Sequence, residues 1–91
     1  MSWTDDDYDG LEWDASKSDA TFAELGLDFA AAPQVFEGDY REREDLRQDY
    51  GERRYVVTGD VEGIVVTLVW TSRGPFNRRR RRIISAWPAS N

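Results

Sequence analysis

Apolar residues along this 91-residue chain change their spacing near residue 53, from a helical repeat to a strand repeat. Two early segments carry apolar residues three and four positions apart, which is typical of amphipathic helices. These residues are Ala15, Phe22 and Leu25 in the first segment and Phe29, Ala32, Val35 and Phe36 in the second. Later segments alternate as strands do. The order predicts an α+β domain in which two N-terminal helices pack on an antiparallel sheet of three to four strands.

Residues at the ends of the helical segments support their placement. Asp14 and Asp28 each precede a segment, where a carboxylate can accept bonds from unpaired backbone N–H groups. Gly26 predicts the end of the first helix, because glycine adopts the left-handed conformation readily. Pro33 lies one turn into the second helix and should shorten or kink it. Residues 11–13 are expected to form a short strand ahead of both helices.

The second half of the chain predicts a hairpin followed by one more strand. Residues 55–58 and 64–71 flank a turn at residues 59–63, and residues 80–86 form the last strand. One face of the middle strand should receive the helices, because its alternate residues are all bulky and apolar. They are Ile64, Val66, Leu68 and Trp70. Trp13 and Trp70 are both expected in the core.

Two segments show no apolar repeat. Residues 1–10 are predicted to be a flexible acidic extension of a single domain that spans residues 11–91. Residues 37–52 are mostly charged, with Gly38 and Gly51 as breaks, and are predicted to form a mobile loop. A loop of this length is unusual in a compact domain, which indicates either a functional role or a missed element.

Composition excludes several classes of site. The chain has no cysteine and no histidine. Disulfides, thiolate or imidazole metal sites, cysteine nucleophiles and Ser-His-Asp catalysis are therefore excluded. No apolar stretch approaches the roughly 20 residues of a membrane span, and the N-terminus does not resemble a secretory signal. We expect a cytoplasmic protein without a cofactor.

The acidic motif Asp5-Asp6-Asp7-Tyr8-Asp9-Gly10 matches the opening of a calcium-binding loop. The twelfth position of such a loop needs a bidentate glutamate, and here it is Ser16. Only four residues precede the motif, which is too few for the entering helix. An acidic tail is the simpler interpretation, and such a tail could also lie over basic side chains and mimic RNA phosphates.

Charge is divided unevenly along the chain. Residues 1–52 hold sixteen acidic and four basic side chains, a net charge of −12, whereas residues 53–91 hold eight arginines and two acids, a net charge of +6. Arg78, Arg79, Arg80, Arg81 and Arg82 form an unbroken run ahead of an apolar strand. Guanidinium groups bind phosphate in a bidentate manner, so the run favours RNA as a partner. A solvated run that protects a sheet edge is the alternative.

Arg54, Arg73 and Arg82 are the candidates for a reaction site. They lie at strand ends that could meet at one end of the sheet, where guanidiniums could hold a scissile phosphate and stabilise its transition state. Without histidine, Glu52 and Tyr50 are the candidates for proton transfer. The alternative is that these arginines are surface charges paired with nearby carboxylates. Trp87 could stack on a base or could close the bottom of the core.

Several segments resemble the BrnT family of toxins from bacterial type II toxin–antitoxin systems. The resemblance covers roughly residues 11–87. Its motifs are Leu11-Glu12-Trp13-Asp14 with Lys17, Gly26-Leu27-Asp28-Phe29, Val35-Phe36, Asp49-Tyr50-Gly51-Glu52 with Arg54 and Gly59, Trp70-Thr71-Ser72-Arg73-Gly74 and Arg82-Ile83-Ile84-Ser85-Ala86. It implies a RelE-like fold and metal-independent cleavage of RNA that inhibits translation. It also implies neutralisation by a BrnA-like antitoxin that binds DNA. The toxin would contact DNA only through that antitoxin.

The chain departs from the BrnT pattern at positions where the family is usually basic or polar. Thr21, Glu24 and Leu25 replace an asparagine and a Lys-His pair, and Trp87 replaces an arginine. The C-terminal basic helix of the family is not found before Asn91. These differences suggest an alternative function, in which a weakened or inactive family member acts as a module that binds a partner protein or an antitoxin.

Overall fold

One mixed sheet, covered by helices on a single face, makes up the fold seen in a computed structural model that describes residues 8–47, 49–75 and 77–89. In chain order, the elements are β1 (Tyr8–Trp13), α1 (Ala15–Leu25), a 3-10 helix (Phe29–Ala31), α2 (Ala32–Glu37), β2 (Tyr40–Glu44), β3 (Arg54–Val61), β4 (Ile64–Arg73) and β5 (Arg79–Pro88). The strands lie in the order β1-β5-β4-β3-β2. The predicted α+β class is therefore confirmed.

The predicted sheet was wrong in its size and direction. The described residues form five strands, and β1 runs parallel to β5 while the other neighbours are antiparallel. The helices follow β1, so the helical half does not simply precede the sheet. The chain leaves β1, crosses the sheet through the helices and later returns beside β1. Such a pairing joins residues about 70 positions apart, as in Trp13 and Ile83, and no local pattern reveals it.

The core lies between the helices and the face of the sheet that they cover, which we call the helix face. Its buried residues include Phe29, Val35, Val57, Leu68, Trp70 and Ile83. Trp70 is in the core as predicted, and Trp13 packs against the core while staying partly exposed. Ile64 was predicted to join it but is 58% exposed, because it lies at the tip of the hairpin beyond the reach of the helices.

The predicted ends of the helices are confirmed by their hydrogen bonds. Asp14 accepts bonds from the backbone N–H groups of Ser16 and Lys17, and Gly26 ends α1 at a φ of 73°. Asp28 accepts a bond from Ala30 N–H at 2.8 Å and so begins the 3-10 helix. The second helical segment is short and divided, as a proline in its first turn would require.

Residues 37–52 are not the mobile loop that their charge suggested, because residues 40–44 form the edge strand β2. Glu42 lies on the helix face, where its carboxylate accepts a 2.9 Å bond from Trp70 Nε1. Alternating charges at residues 41–44 hid the strand, which is held by its pairing with β3 and by Tyr40 packing against the core.

The hairpin is tighter than predicted. Glu62 and Gly63 alone connect β3 to β4, with φ angles of 51° and 86°. Two adjacent residues with positive φ are typical of the type I′ turn, whose twist matches that of paired strands. Both strands are therefore longer than the sequence indicated, and β3 and β4 are in register from Arg54 with Thr71 to Val61 with Ile64.

Candidate functional site

The face of the sheet opposite the helices carries a dense group of arginines. Residues paired across neighbouring strands project to the same side of a sheet. Arg54 on β3 is paired with Thr71 on β4, which is paired with Arg82 on β5, and Arg73 is paired with Arg80. We call this side the open face. The described strands place six arginines on it: Arg41, Arg43, Arg54, Arg73, Arg80 and Arg82.

Glu52 joins two of the predicted site residues. Arg54 Nε donates to Glu52 Oε2 at 3.0 Å, and Arg73 Nη1 donates to Glu52 Oε1 at 2.6 Å. Hydrogen bonds from Arg73 and then Arg54 hold the pKa of Glu52 below its usual value, despite some opposition from burial. The carboxylate is therefore ionised at neutral pH, and both of its oxygens are occupied. It is better suited to holding guanidiniums in place than to accepting a proton.

Tyr50 also contacts the guanidinium of Arg54. The guanidinium carbon of Arg54 lies 4.3 Å from the centre of the Tyr50 ring, a cation–π contact. The Tyr50 hydroxyl donates to Asp45 Oδ2 at 3.1 Å, and Arg47 donates to both oxygens of the same carboxylate at 2.8 and 2.7 Å. The Asp45 side chain is fully buried, and its bonds from Arg47 hold its pKa well below the usual range. The segment before β3 is thus built around one ionised carboxylate.

Arg82 lies on the open face but makes a different contact. Its Nη1 is 3.9 Å from Glu12 Oε1 on β1, and its side chain is about one-third exposed. Thr71, which separates it from Arg54 in the register, is buried and donates to the Arg53 carbonyl at 2.7 Å. The structure therefore brings Arg54 and Arg73 together on one carboxylate and places Arg82 on the same face, across the buried Thr71.

The arginine run is divided between the two faces of the sheet, because alternate strand residues point in opposite directions. Arg80 and Arg82 belong to the open face. Arg81 is buried on the helix face, with its guanidinium carbon 4.2 Å from the Phe36 ring centre and 5.0 Å from that of Trp70. Arg79 shares that side, and Arg78 is exposed before the strand begins. The run does not form one continuous basic surface.

A groove on the open face lies beside these arginines. It has a volume of about 540 Å³ and runs between Arg41 and Arg43 on β2 and Trp87 on β5. Sequence reasoning suggested Trp87 but missed Arg41 and Arg43, because residues 37–52 were taken for a loop. The alternation of Tyr40-Arg41-Glu42-Arg43-Glu44 was the available signal, since a two-residue period places both arginines on one side of a strand.

The described residues hold neither a metal cluster nor a membrane-spanning helix. Residues 8–47, 49–75 and 77–89 contain no cluster of three or more acidic side chains arranged to hold a metal ion. They also include no helix long and apolar enough to cross a membrane. The calcium-loop motif depends on Asp5, Asp6 and Asp7, which lie outside the described residues.

Comparison with known families decides the assignment. A family model described as the ribonuclease toxin BrnT of type II toxin–antitoxin systems matches residues 13–91. The chain belongs to this family. A search of curated proteins found no match. Membership of the BrnT family implies a ribonuclease toxin of a type II system, for which an antitoxin is the partner.

The positions that depart from the usual BrnT pattern occupy different parts of the structure. Thr21, Glu24 and Leu25 lie on α1, which packs on the helix face, and Glu24 and Leu25 are exposed. Trp87 instead lies on the open face beside the groove. Lys17, which keeps the family spacing, donates from Nζ to the Ile84 carbonyl at 3.3 Å and so joins α1 to β5.

Proposed function

We propose that this BrnT-family protein cleaves RNA on the open face without a metal ion, with Arg54, Arg73 and Arg82 binding the phosphate at the cleavage point. A BrnA-like DNA-binding antitoxin would neutralise it by covering this face, and the toxin would meet DNA only through that antitoxin. The resemblance and the family match support the activity class. The arrangement of arginines supports the location.

The observation that carries the proposal is the pair of bonds between Glu52 and the guanidiniums of Arg54 and Arg73. Two arginines from neighbouring strands converge closely enough to hold one anion. Each uses a single N–H for this purpose, and a guanidinium carries five. Donors therefore remain for the oxygens of a phosphate while Glu52 keeps both groups in position.

The reaction that suits these groups is attack by the RNA 2′-hydroxyl on its own phosphorus. The bond from O2′ to phosphorus forms, the bond to O5′ breaks, and a 2′,3′-cyclic phosphate and a 5′-hydroxyl result. The proton of the 2′-hydroxyl passes to a base, and a proton is returned to O5′. Negative charge grows on the phosphate oxygens in between, and fixed guanidiniums stabilise it without reorganising.

Within this proposal Glu52 and Tyr50 hold Arg54 and Arg73 in position. Water accepts the proton of the 2′-hydroxyl and returns a proton to O5′. Glu52 is a weak base because its pKa is held low. The Tyr50 hydroxyl already donates to Asp45. Arg80 adds a further cation on the open face beside Arg73, and Arg78 lies exposed before β5.

The experiment is an RNA cleavage assay in EDTA with Arg73→Ala and Arg82→Ala, alongside growth inhibition in cells. Removing one oriented donor typically costs about 10²–10³-fold in rate. Arg53→Ala is the matched control, since the Arg53 side chain is 79% exposed and lies 4.0 Å from Glu44. Full cleavage and toxicity in both Arg73→Ala and Arg82→Ala, with folding intact, would contradict the proposal.

A second candidate is an RNA-binding family member with little catalysis. The observation in its favour is that the sequence has no histidine and that both oxygens of Glu52 are already occupied. The same assay separates the two candidates. A stable complex with intact RNA would support the second, and cleavage in EDTA would support the first.

A further inference from the structure

The groove of about 540 Å³ on the open face has two unlike sides. Arg41 and Arg43 project from β2 on one side, and Trp87 projects from β5 on the other. Its floor includes Thr58 and Thr67, whose hydroxyl oxygens are 3.3 Å apart. Cationic groups, an aromatic ring and hydroxyls therefore face one volume, which lies in the range of sites for small organic ligands.

The register of the sheet explains why these groups meet. Arg41 is paired with Thr58, Thr58 with Thr67, and Thr67 with Trp87, so the four residues form one row across the sheet. Three strand spacings of about 4.8 Å separate the outer two backbones, roughly 14 Å in all. Long side chains at both ends can lean over a ligand that rests on the two small threonines.

Electrostatics favour an anion on the β2 side of the groove. Arg41 and Arg43 are exposed, and neither has an ion pair within the part of the chain that the structure describes. Arg47 also lines the groove but is held by Asp45. Glu42 also lines the groove, but its carboxylate is directed to the helix face, where it accepts a bond from Trp70 Nε1 at 2.9 Å.

We infer that this groove binds one unpaired nucleotide of a single-stranded RNA. The base stacks on Trp87, its polar edge meets the hydroxyls of Thr58 and Thr67, and the adjoining phosphate lies against Arg41 and Arg43. Stacking accepts any base, while hydroxyls that can donate or accept give modest discrimination. The inference names a substrate contact for the proposed ribonuclease and so rests on that proposal.

The position of the groove relates it to the proposed cleavage point. Arg54 and Thr58 both lie on β3, four residues apart and on the same face, which corresponds to roughly 13 Å along the strand. A single strand held at Arg54 can therefore reach the groove with a nearby nucleotide. In a duplex the base is stacked and paired, and its face is not available to Trp87.

The test is binding of a single-stranded 2′-O-methyl RNA of mixed sequence, which lacks the attacking hydroxyl and stays intact. Affinity is measured by fluorescence anisotropy. Trp87→Ala should weaken binding roughly five- to 150-fold, the range associated with stacking on one ring. Trp87→Phe should keep most of the affinity, and Trp87→Leu, which retains apolar bulk without the ring face, should lose it. Arg41→Ala and Arg43→Ala should each reduce the dependence of RNA affinity on salt concentration.

Phe22→Ala is the matched aromatic control, since Phe22 is 57% exposed on α1, among the helices. It should bind like the unmodified protein, and a blunt 2′-O-methyl duplex should bind equally to all the Trp87 variants. Unchanged single-strand affinity in Trp87→Leu overturns the inference, even if antitoxin binding is lost. The two proposals can fail separately, because the probe cannot be cut. If Trp87→Leu binds the probe more weakly but the unmodified protein does not cleave natural RNA in EDTA, the groove is supported and the ribonuclease proposal is contradicted.

Discussion

Glu52 and Arg73, 21 residues apart in sequence, are joined by a 2.6 Å hydrogen bond from Nη1 to Oε1. Glu52 precedes β3 and Arg73 ends β4, so the bond ties together two strand ends at the edge of the proposed phosphate site. Without the carboxylate, the guanidiniums of Arg73 and Arg54 would repel each other. One acidic residue thus makes a close pair of cations possible before any RNA arrives.

Glu52→Gln should lower RNA cleavage by about tenfold or more, because the neutral amide holds two guanidiniums less firmly and a tenfold change corresponds to about 1.4 kcal/mol. The fold should remain intact. Since the pKa of Glu52 is held low, the unmodified protein should show no step in its pH–rate profile from this group above about pH 5. Glu24→Gln, at an exposed position on α1, is the control. Tighter RNA binding and faster cleavage in Glu52→Gln would instead show that Glu52 competes with phosphate.

The arginine run illustrates a limit of sequence analysis. Composition showed five adjacent cations and favoured one basic surface. Strand geometry divides them, and Arg81 is buried against Phe36 and Trp70 while Arg80 faces solvent. The alternation itself was predictable once residues 80–86 were taken as a strand. That aromatic rings would receive Arg81 was not, because Phe36 comes from a helix 45 residues earlier.

Arg81→Ala should destabilise the fold by about 2–4 kcal/mol, through the loss of desolvated cation–π contacts and of the packing of its aliphatic stem. Arg80→Ala should change stability by no more than about 0.5 kcal/mol, because Arg80 is exposed. Urea denaturation of the two variants measures this difference between neighbouring, chemically identical residues. Equal stability would show that Arg81 is not held in the core.

Local signals and long-range pairing were not equally visible in the sequence. The helix caps at Asp14 and Asp28, the stop at Gly26 and the hairpin depend on a few adjacent residues, and each was predicted. The strand β2 and the buried Asp45 depend on distant partners or on burial, and the composition of residues 37–52 concealed both. The convergence of Arg54 and Arg73 was predicted as a possibility. Glu52, whose carboxylate joins them, was predicted to transfer protons instead.

Asp45→Asn should lower the stability of the fold at neutral pH and make that stability less sensitive to acid. The pKa of Asp45 is lowered in the folded state, chiefly by Arg47, so its stabilising effect is complete above the unfolded value of about 3.9 and is lost as the pH falls below it. The difference between variant and unmodified protein should therefore shrink below about pH 4. Thermal denaturation across pH measures it, with Asp19→Asn on the exposed side of α1 as the control. A difference that stays constant down to low pH would contradict the assignment.

The close approach of α2 to the sheet leads to a steric prediction at Gly59. A Cβ added there would lie 2.8 Å from Val35 Cγ1 and 3.2 Å from Tyr40 Cβ. Val35 is fully buried and cannot move away without disturbing the core, so Gly59→Ala should cost about 1–3 kcal/mol. Gly38→Ala is the matched control, because its Cβ would meet nothing closer than Gln34 O at 3.9 Å, and its stability should change by no more than about 0.5 kcal/mol. If Gly59→Ala were as stable as Gly38→Ala in urea, α2 would not be seated on β3 as described.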